Sequence, residues 1–177
     1  MGSNGKRLFL NLLLLLLAGG LVWFVATREP ETRKMGDRLY DAAMGDNITR
    51  VLIHVQGKPD ILIENIAKAD EPDRWMITQP VQAEADKDKV RLLFTLLTDP
   101  VSASYDVADK DLAQFGLDQE KMSLSFNGVK LLMGDLNQVS QARYILKNNK
   151  IYLIAESVTP LIRSGLDEFK KQAKQHK

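Results

Sequence analysis

Apolar and polar positions change rhythm along this chain, and each rhythm predicts a different element. Leu8 to Ala26 (LFLNLLLLLLAGGLVWFVA) holds no charge over nineteen residues. As a helix it would extend roughly 28 Å, close to the hydrocarbon core of a bilayer. From Ile48 the period drops to two. Val51, Ile53 and Val55 alternate with Arg50, Leu52 and His54, and Ile61 and Ile63 share one face of a returning segment. Two strands joined at Gly57-Lys58-Pro59-Asp60 are predicted. A short third strand covers Arg74 to Ile77, and Pro80 stops it, because proline brings no ladder donor and restricts Gln79. The period then lengthens: Val90, Leu93, Phe94 and Leu97 fall at i, i+3, i+4 and i+7, with Leu92 and Leu96 widening the stripe. That pattern predicts an amphipathic helix opened at Ala85-Asp86 and closed at Asp99-Pro100.

Short periods return afterwards. Val101 to Tyr105 reads as a strand and Val107 to Phe115 as a small helix. Gly116 stands where a helix end wants a residue tolerant of positive φ. Met122 to Phe126 and Val129 to Met133 flank Asn127-Gly128, the dipeptide favoured in two-residue hairpin turns, and Gly134-Asp135 is expected to break the second of them. Arg143 to Leu146 and Lys150 to Ile154 form a further hairpin. Ser157 or Thr159 is expected to cap a last helix with Pro160 in its first turn. Met35, Leu39, Ala42 and Ala43 give a weak helical stripe ahead of the first strand. The fold class expected is α+β: a single N-terminal transmembrane helix, then one mostly antiparallel sheet domain with one long packed helix. The expected boundaries are a short cytoplasmic N-terminus (1–7), a transmembrane anchor (8–26), a juxtamembrane stalk (27–47), the α+β domain (48–169) and a basic tail (170–177).

Charge narrows the classes of partner. All 23 acidic residues and 22 of the 24 Lys and Arg follow Ala26, so the domain is near neutral. Nucleic-acid binding needs a concentrated basic excess and is not expected. The chain has no cysteine, which excludes disulfides, zinc–thiolate sites and iron–sulfur clusters. His54 is one of two histidines and has no second ligand at metal spacing, so it reads as a strand surface residue. No metal, cofactor or nucleophile–base arrangement can be assembled, and no catalytic residue is assigned.

The leucine-rich stretch has three readings. A core helix would need a larger domain around it. A cleaved signal would want a shorter apolar run and a small residue where Phe24 stands. An uncleaved anchor fits best, with Lys6 and Arg7 at one end and Trp23 and Phe24 near the other. Arg28, Arg33, Lys34 and Arg38 beyond it leave the direction undecided by charge. A short N-terminus before a single anchor favours a cytoplasmic N-terminus and a periplasmic domain at a bacterial inner membrane.

One ordered set of short motifs is shared with a known family. Arg74-Trp75-Met76-Ile77-Thr78-Gln79-Pro80 is followed by Ala85-Asp86, the leucine-rich helix, Phe115-Gly116-Leu117-Asp118, Leu132-Met133-Gly134, Arg143-Tyr144 and Ile151-Tyr152-Leu153-Ile154. This resembles the DUF4340 family over about Ile48 to Ile162. Gln119-Glu120 departs from the proline often found there. The resemblance implies a membrane-anchored bacterial protein with an exported domain, some relatives being encoded beside gliding-type ABC transporter components. It implies no activity. The residues it singles out, as interaction or motif positions, are Trp75, Pro80, Tyr105, Gly116, Leu117, Gly134, Tyr144 and Tyr152.

The function expected is therefore non-enzymatic: a single-pass membrane protein whose domain is an accessory or scaffold subunit of an envelope complex, with membrane-protein partners. The alternative is a tethered module for a glycan or lipid, with Trp75, Tyr105 and Tyr144 as ring platforms. Trp75 is more simply a core anchor.

Overall fold

The computed structural model describes residues 3–27, 38–40, 47–68, 73–108 and 110–172. The chain divides into two compact units, residues 1–31 and 32–177. The first holds helix α1 (Ser3–Thr27). Its side chains from Asn11 to Trp23 are exposed. Among the described residues no helix is long and apolar enough to cross a membrane. This overturns the transmembrane anchor expected over 8–26. A spanning helix calls for about 20 consecutive, predominantly apolar residues. α1 instead opens on Ser3-Asn4-Gly5-Lys6-Arg7 and carries Asn11 within its leucines. Most of the expected stalk, with Met35, Ala42 and Ala43, lies outside the described residues, as do Asp70 and the tail from residue 173.

The second unit corrects the rest of the expected fold class. Among the described residues it is one large antiparallel sheet of nine strands with few helices. The strands are β1 (Arg50–Val55), β2 (Ile61–Asn65), β3 (Trp75–Gln79), β4 (Ala83–Glu84), β5 (Val101–Asp106), β6 (Met122–Phe126), β7 (Val129–Asn137), β8 (Ala142–Lys147) and β9 (Lys150–Ala155), ordered β4-β3-β2-β1-β6-β7-β8-β9-β5. Two meanders thus meet at β1 and β6. The helix α2 (Lys87–Thr98) carries the chain from one sheet edge, β4, to the other, β5.

Local chemistry explains these elements. The Asp86 carboxylate accepts hydrogen bonds from the Asp88 and Lys89 amides (2.9 and 3.4 Å), satisfying two free donors at the start of α2. Asn127 (φ 48°) and Gly128 (φ 89°) turn β6 into β7, and Asn148 and Asn149, both at positive φ, turn β8 into β9. These are the conformations a two-residue turn with the right twist requires.

Several expectations change. Val107 to Phe115 is only a 3-10 turn, Leu112–Phe115, capped by the Asp111 side chain. β7 runs on through Gly134-Asp135 as a nine-residue strand, its register shifting between Met133 and Leu136. The last helix is split by Gly165 into α3 (Thr159–Ser164) and α4 (Leu166–Phe169), and no side chain caps α3. Leu92 lies 44 % exposed, off the inward face of α2.

One sheet face meets α2, α3 and α4. Val51 and Ile53, Ile63, Ile77, Leu124 and Phe126, Leu131, Ile145 and Ile154 pack there against Val90, Leu93, Leu96 and Leu97. Trp75, Phe94 and Phe126 form a chain of rings through this core, with centroids 5.7 Å apart at each step. Leu39, completely buried, closes the end beyond α2. Its carbonyl accepts a hydrogen bond from the buried Lys147 ammonium at 2.5 Å. That contact compensates the burial of the charge.

Candidate functional site

The predicted motif residues divide between the two sheet faces. Trp75 is 3 % exposed and belongs to the α2-side core, its indole N–H donating to Asp73 at 2.8 Å. A ligand could not stack on it there. Tyr152 packs on the same core, with the Lys150 ammonium 5.9 Å from its ring centre. Tyr105 and Tyr144 lie on the opposite face, beside Ala103, Ala142 and Leu153.

On that opposite face five of the predicted residues come together. The ring of Phe115 stacks on Tyr105 (centroids 6.3 Å apart) and meets Tyr144 edge-on at 4.9 Å. The Tyr144 hydroxyl accepts from the Asn137 amide at 2.7 Å. Gly116, at φ 64°, then lets the chain turn so that Leu117 is buried. A β-carbon on Gly134 would overlap the Phe115 carbonyl oxygen and approach the Leu117 side chain to 2.8 Å. A β-carbon on Gly116 would run into the Asp135 carboxylate. The Gly134 carbonyl is bound by the Arg143 guanidinium, which also donates to Glu156 at 2.5 Å. The motifs therefore form a latch, in which the 112–117 segment sits directly on β7. Its rings are packed on one another.

Farther along the same face lies a polar group. His54 and Ser123 are directly opposite across β1 and β6. His54 Nδ1 is 2.7 Å from Asp60, an acidic partner brought by the β1–β2 turn. Ser123, 2 % exposed, donates to Glu120 at 2.7 Å, and Lys130 reaches both oxygens of that carboxylate. The Lys130 hydrogen bond, aided by Ser123, holds the Glu120 carboxyl below its ordinary range. A serine nucleophile needs its hydroxyl directed at a base that is free to take the proton. Here it faces a carboxylate already held by an ammonium. Among the described residues no three His, Asp or Glu side chains gather in a way that could hold a metal ion.

Two openings among the described residues bear on function. A broad polar groove of about 960 Å³ runs past the start of α2 and the β4 edge. Its charges answer one another: Lys89 with Glu168, Arg91 with Asp73, and Lys171 with Glu84 at 2.6 Å. The Lys171 hydrogen bond holds the exposed Glu84 carboxyl below its usual value.

The second opening is a small apolar pocket of about 170 Å³ on the α2 side of the sheet. Ile53 and Val55 of β1 and Ile61 of β2 form one wall. Ile162 of α3 and Leu166 of α4 form the other, with Pro59, Pro80 and Gly165 at the ends. Lys58 is its one charged lining residue, and its ammonium donates to the Arg163 carbonyl at 2.6 Å. Of the eight predicted residues only Pro80 lines this pocket. The Gly57-Lys58-Pro59-Asp60 segment reads in the sequence as a turn and nothing more. The helical residues on the far wall read only as an interrupted apolar stripe.

With this geometry in view, the comparison with known families is informative. The DUF4340 family, described as a domain of unknown function, matches over residues 75–173, more than half of the 177-residue chain. The protein belongs to this family. The match begins at Trp75, later than the Ile48 expected from the motifs, so β1 and β2 lie ahead of it. No curated protein and no solved structure matches the chain.

Proposed function

We propose that this protein is a non-enzymatic accessory or scaffold subunit whose sheet domain holds a protein partner in an envelope complex, ABC-transporter assemblies being one such class. The observation that carries this reading is the apolar pocket between the β1–β2 hairpin and α3–α4. Buried apolar pockets that accept a single anchoring side chain are the usual energetic centres of protein interfaces. Small-molecule sites typically occupy about 300–1,000 Å³, well above this volume. A location at a bacterial inner membrane, with the sheet domain on the periplasmic side, belongs to the same proposal.

The test is co-purification of the tagged full-length chain in mild detergent, with and without Val55→Phe. Val55 is half-buried on the pocket wall, and a phenyl ring there fills the opening. A stable partner recovered with the wild-type chain and lost with Val55→Phe, without a lowered Tm, supports the proposal. Recovery of the wild-type chain alone overturns it.

A further inference from the structure

We infer that the pocket takes one leucine- or phenylalanine-sized side chain from a partner segment that places a carboxylate beside that side chain. This rests on the reading of the pocket as a docking point and adds the chemistry of what docks. Size selects the side chain. An aliphatic-lined cavity of about 150 Å³ is known to accept benzene, so about 170 Å³ here suits one ring or one branched aliphatic group. It is too small for a folded acyl chain.

Charge selects the neighbour. Lys58 lines the pocket, and its ammonium donates to the Arg163 backbone carbonyl. The Lys58 side chain is exposed. The carboxylates of the same turn and of α4 have partners of their own: Asp60 holds His54, Glu168 holds Lys89, and Asp167 holds Lys170 at 2.8 Å. Among the described residues Lys58 has no ion-pair partner. The pocket thus presents one cation, Lys58, and no carboxylate beside an apolar hole. The complementary surface is an apolar side chain flanked by acidic residues, because opposite charges at a rim steer and orient what the pocket then buries. The Lys58 ammonium has donors left after its bond to the Arg163 carbonyl.

The pocket supplies its own reporters, since Ile53, Ile61 and Ile162 line it. The full-length chain, labelled at isoleucine δ1 methyls, is titrated with three capped tripeptides. Each has a central phenylalanine, flanked by aspartates, asparagines or lysines. Octanoate is a fourth probe. The expected result is movement of these three methyl signals at about fivefold lower concentration for the aspartate peptide than for the asparagine peptide. The lysine peptide should be weakest. Lys58→Gln should erase the difference and leave the Tm unchanged. Equal response to all three peptides overturns the charge inference and leaves the docking point standing. No response to any peptide removes both. A stronger response to octanoate than to every peptide replaces the acidic segment with a lipid.

Discussion

The latch and the pocket lie on opposite faces of one sheet and are built to opposite rules. In the latch, Phe115, Gly116 and Leu117 are pressed onto Gly134 with no room for a methyl group. In the pocket, five aliphatic side chains stop short of meeting and leave about 170 Å³ open. The latch lies within the family match, whereas Ile53, Val55, Lys58, Pro59 and Ile61 of the pocket precede it. Interiors normally pack to crystal density. A domain that packs its latch and its α2-side core so tightly has not left this gap for want of suitable residues. The latch serves the fold, and the pocket is a local gap at the margin of the face that otherwise holds the main core.

The largest effect should come from forcing the latch apart. Gly134→Ala places a methyl against a backbone carbonyl that cannot swing away. Overpacking of this kind costs about 2–3 kcal/mol, or roughly 6–9 °C in Tm for a chain of this size. Thermal unfolding of the full-length variant measures it. An unchanged Tm would mean that the 112–117 segment is not held on β7. Phe115→Ala comes next. The ring is half-buried, so its loss should cost about 2 kcal/mol, below the range for a fully buried phenylalanine. Gly116→Ala is milder, at about 1–2 kcal/mol. A left-handed conformation is unfavourable for alanine, but the Asp135 carboxylate it meets can rotate aside.

Acid should act on the latch side too, through Glu120. Lys130 holds its folded-state carboxyl below the unfolded value. A depressed carboxyl favours the fold when ionised. That contribution is complete above the unfolded pKa and disappears as the pH falls through the folded one. Glu120→Gln should therefore flatten the acid limb of a Tm-against-pH curve. A limb identical to that of the wild type would show that the Glu120–Lys130 contact does not persist in solution.

Much of this was readable in the residues, for identifiable reasons. Period-two alternation located the strands, because each strand of a sheet with one core face must alternate. Asn127-Gly128 and Asp86 marked a turn and a cap whose geometry is local. The motif set located the latch residues, though not their contacts. Phe115 and Gly134 are nineteen positions apart, and nothing local says that one rests on the other. The nine-stranded extent was hidden for a similar reason. β7 continues through Gly134-Asp135, a pair that ends strands elsewhere, because Arg143 binds the Gly134 carbonyl and the latch covers the glycine. The pocket was hidden most completely. It is a gap between a turn at Lys58 and a helix at Ile162, and a gap has no residue of its own to leave a pattern.

That last point sets the smallest and most discriminating effect. Val55→Phe adds volume to the pocket, as Gly134→Ala adds it to the latch, so the two differ only in what surrounds them. If the pocket is a true opening, the phenyl ring enters space that is already empty. The wall loses no contact, and apolar area leaves water. Stability should then stay within about 0.5 kcal/mol of wild type, or rise by up to about 2 kcal/mol as cavity-filling substitutions do. Chemical denaturation with an unchanged m-value would check it. A loss comparable to that of Gly134→Ala would show the pocket to be closed by small movements of α3 and α4. It would then be ordinary core, and the case for a docked side chain would fall with it. A neutral or raised stability, together with loss of partner, would separate binding from folding at a single side chain.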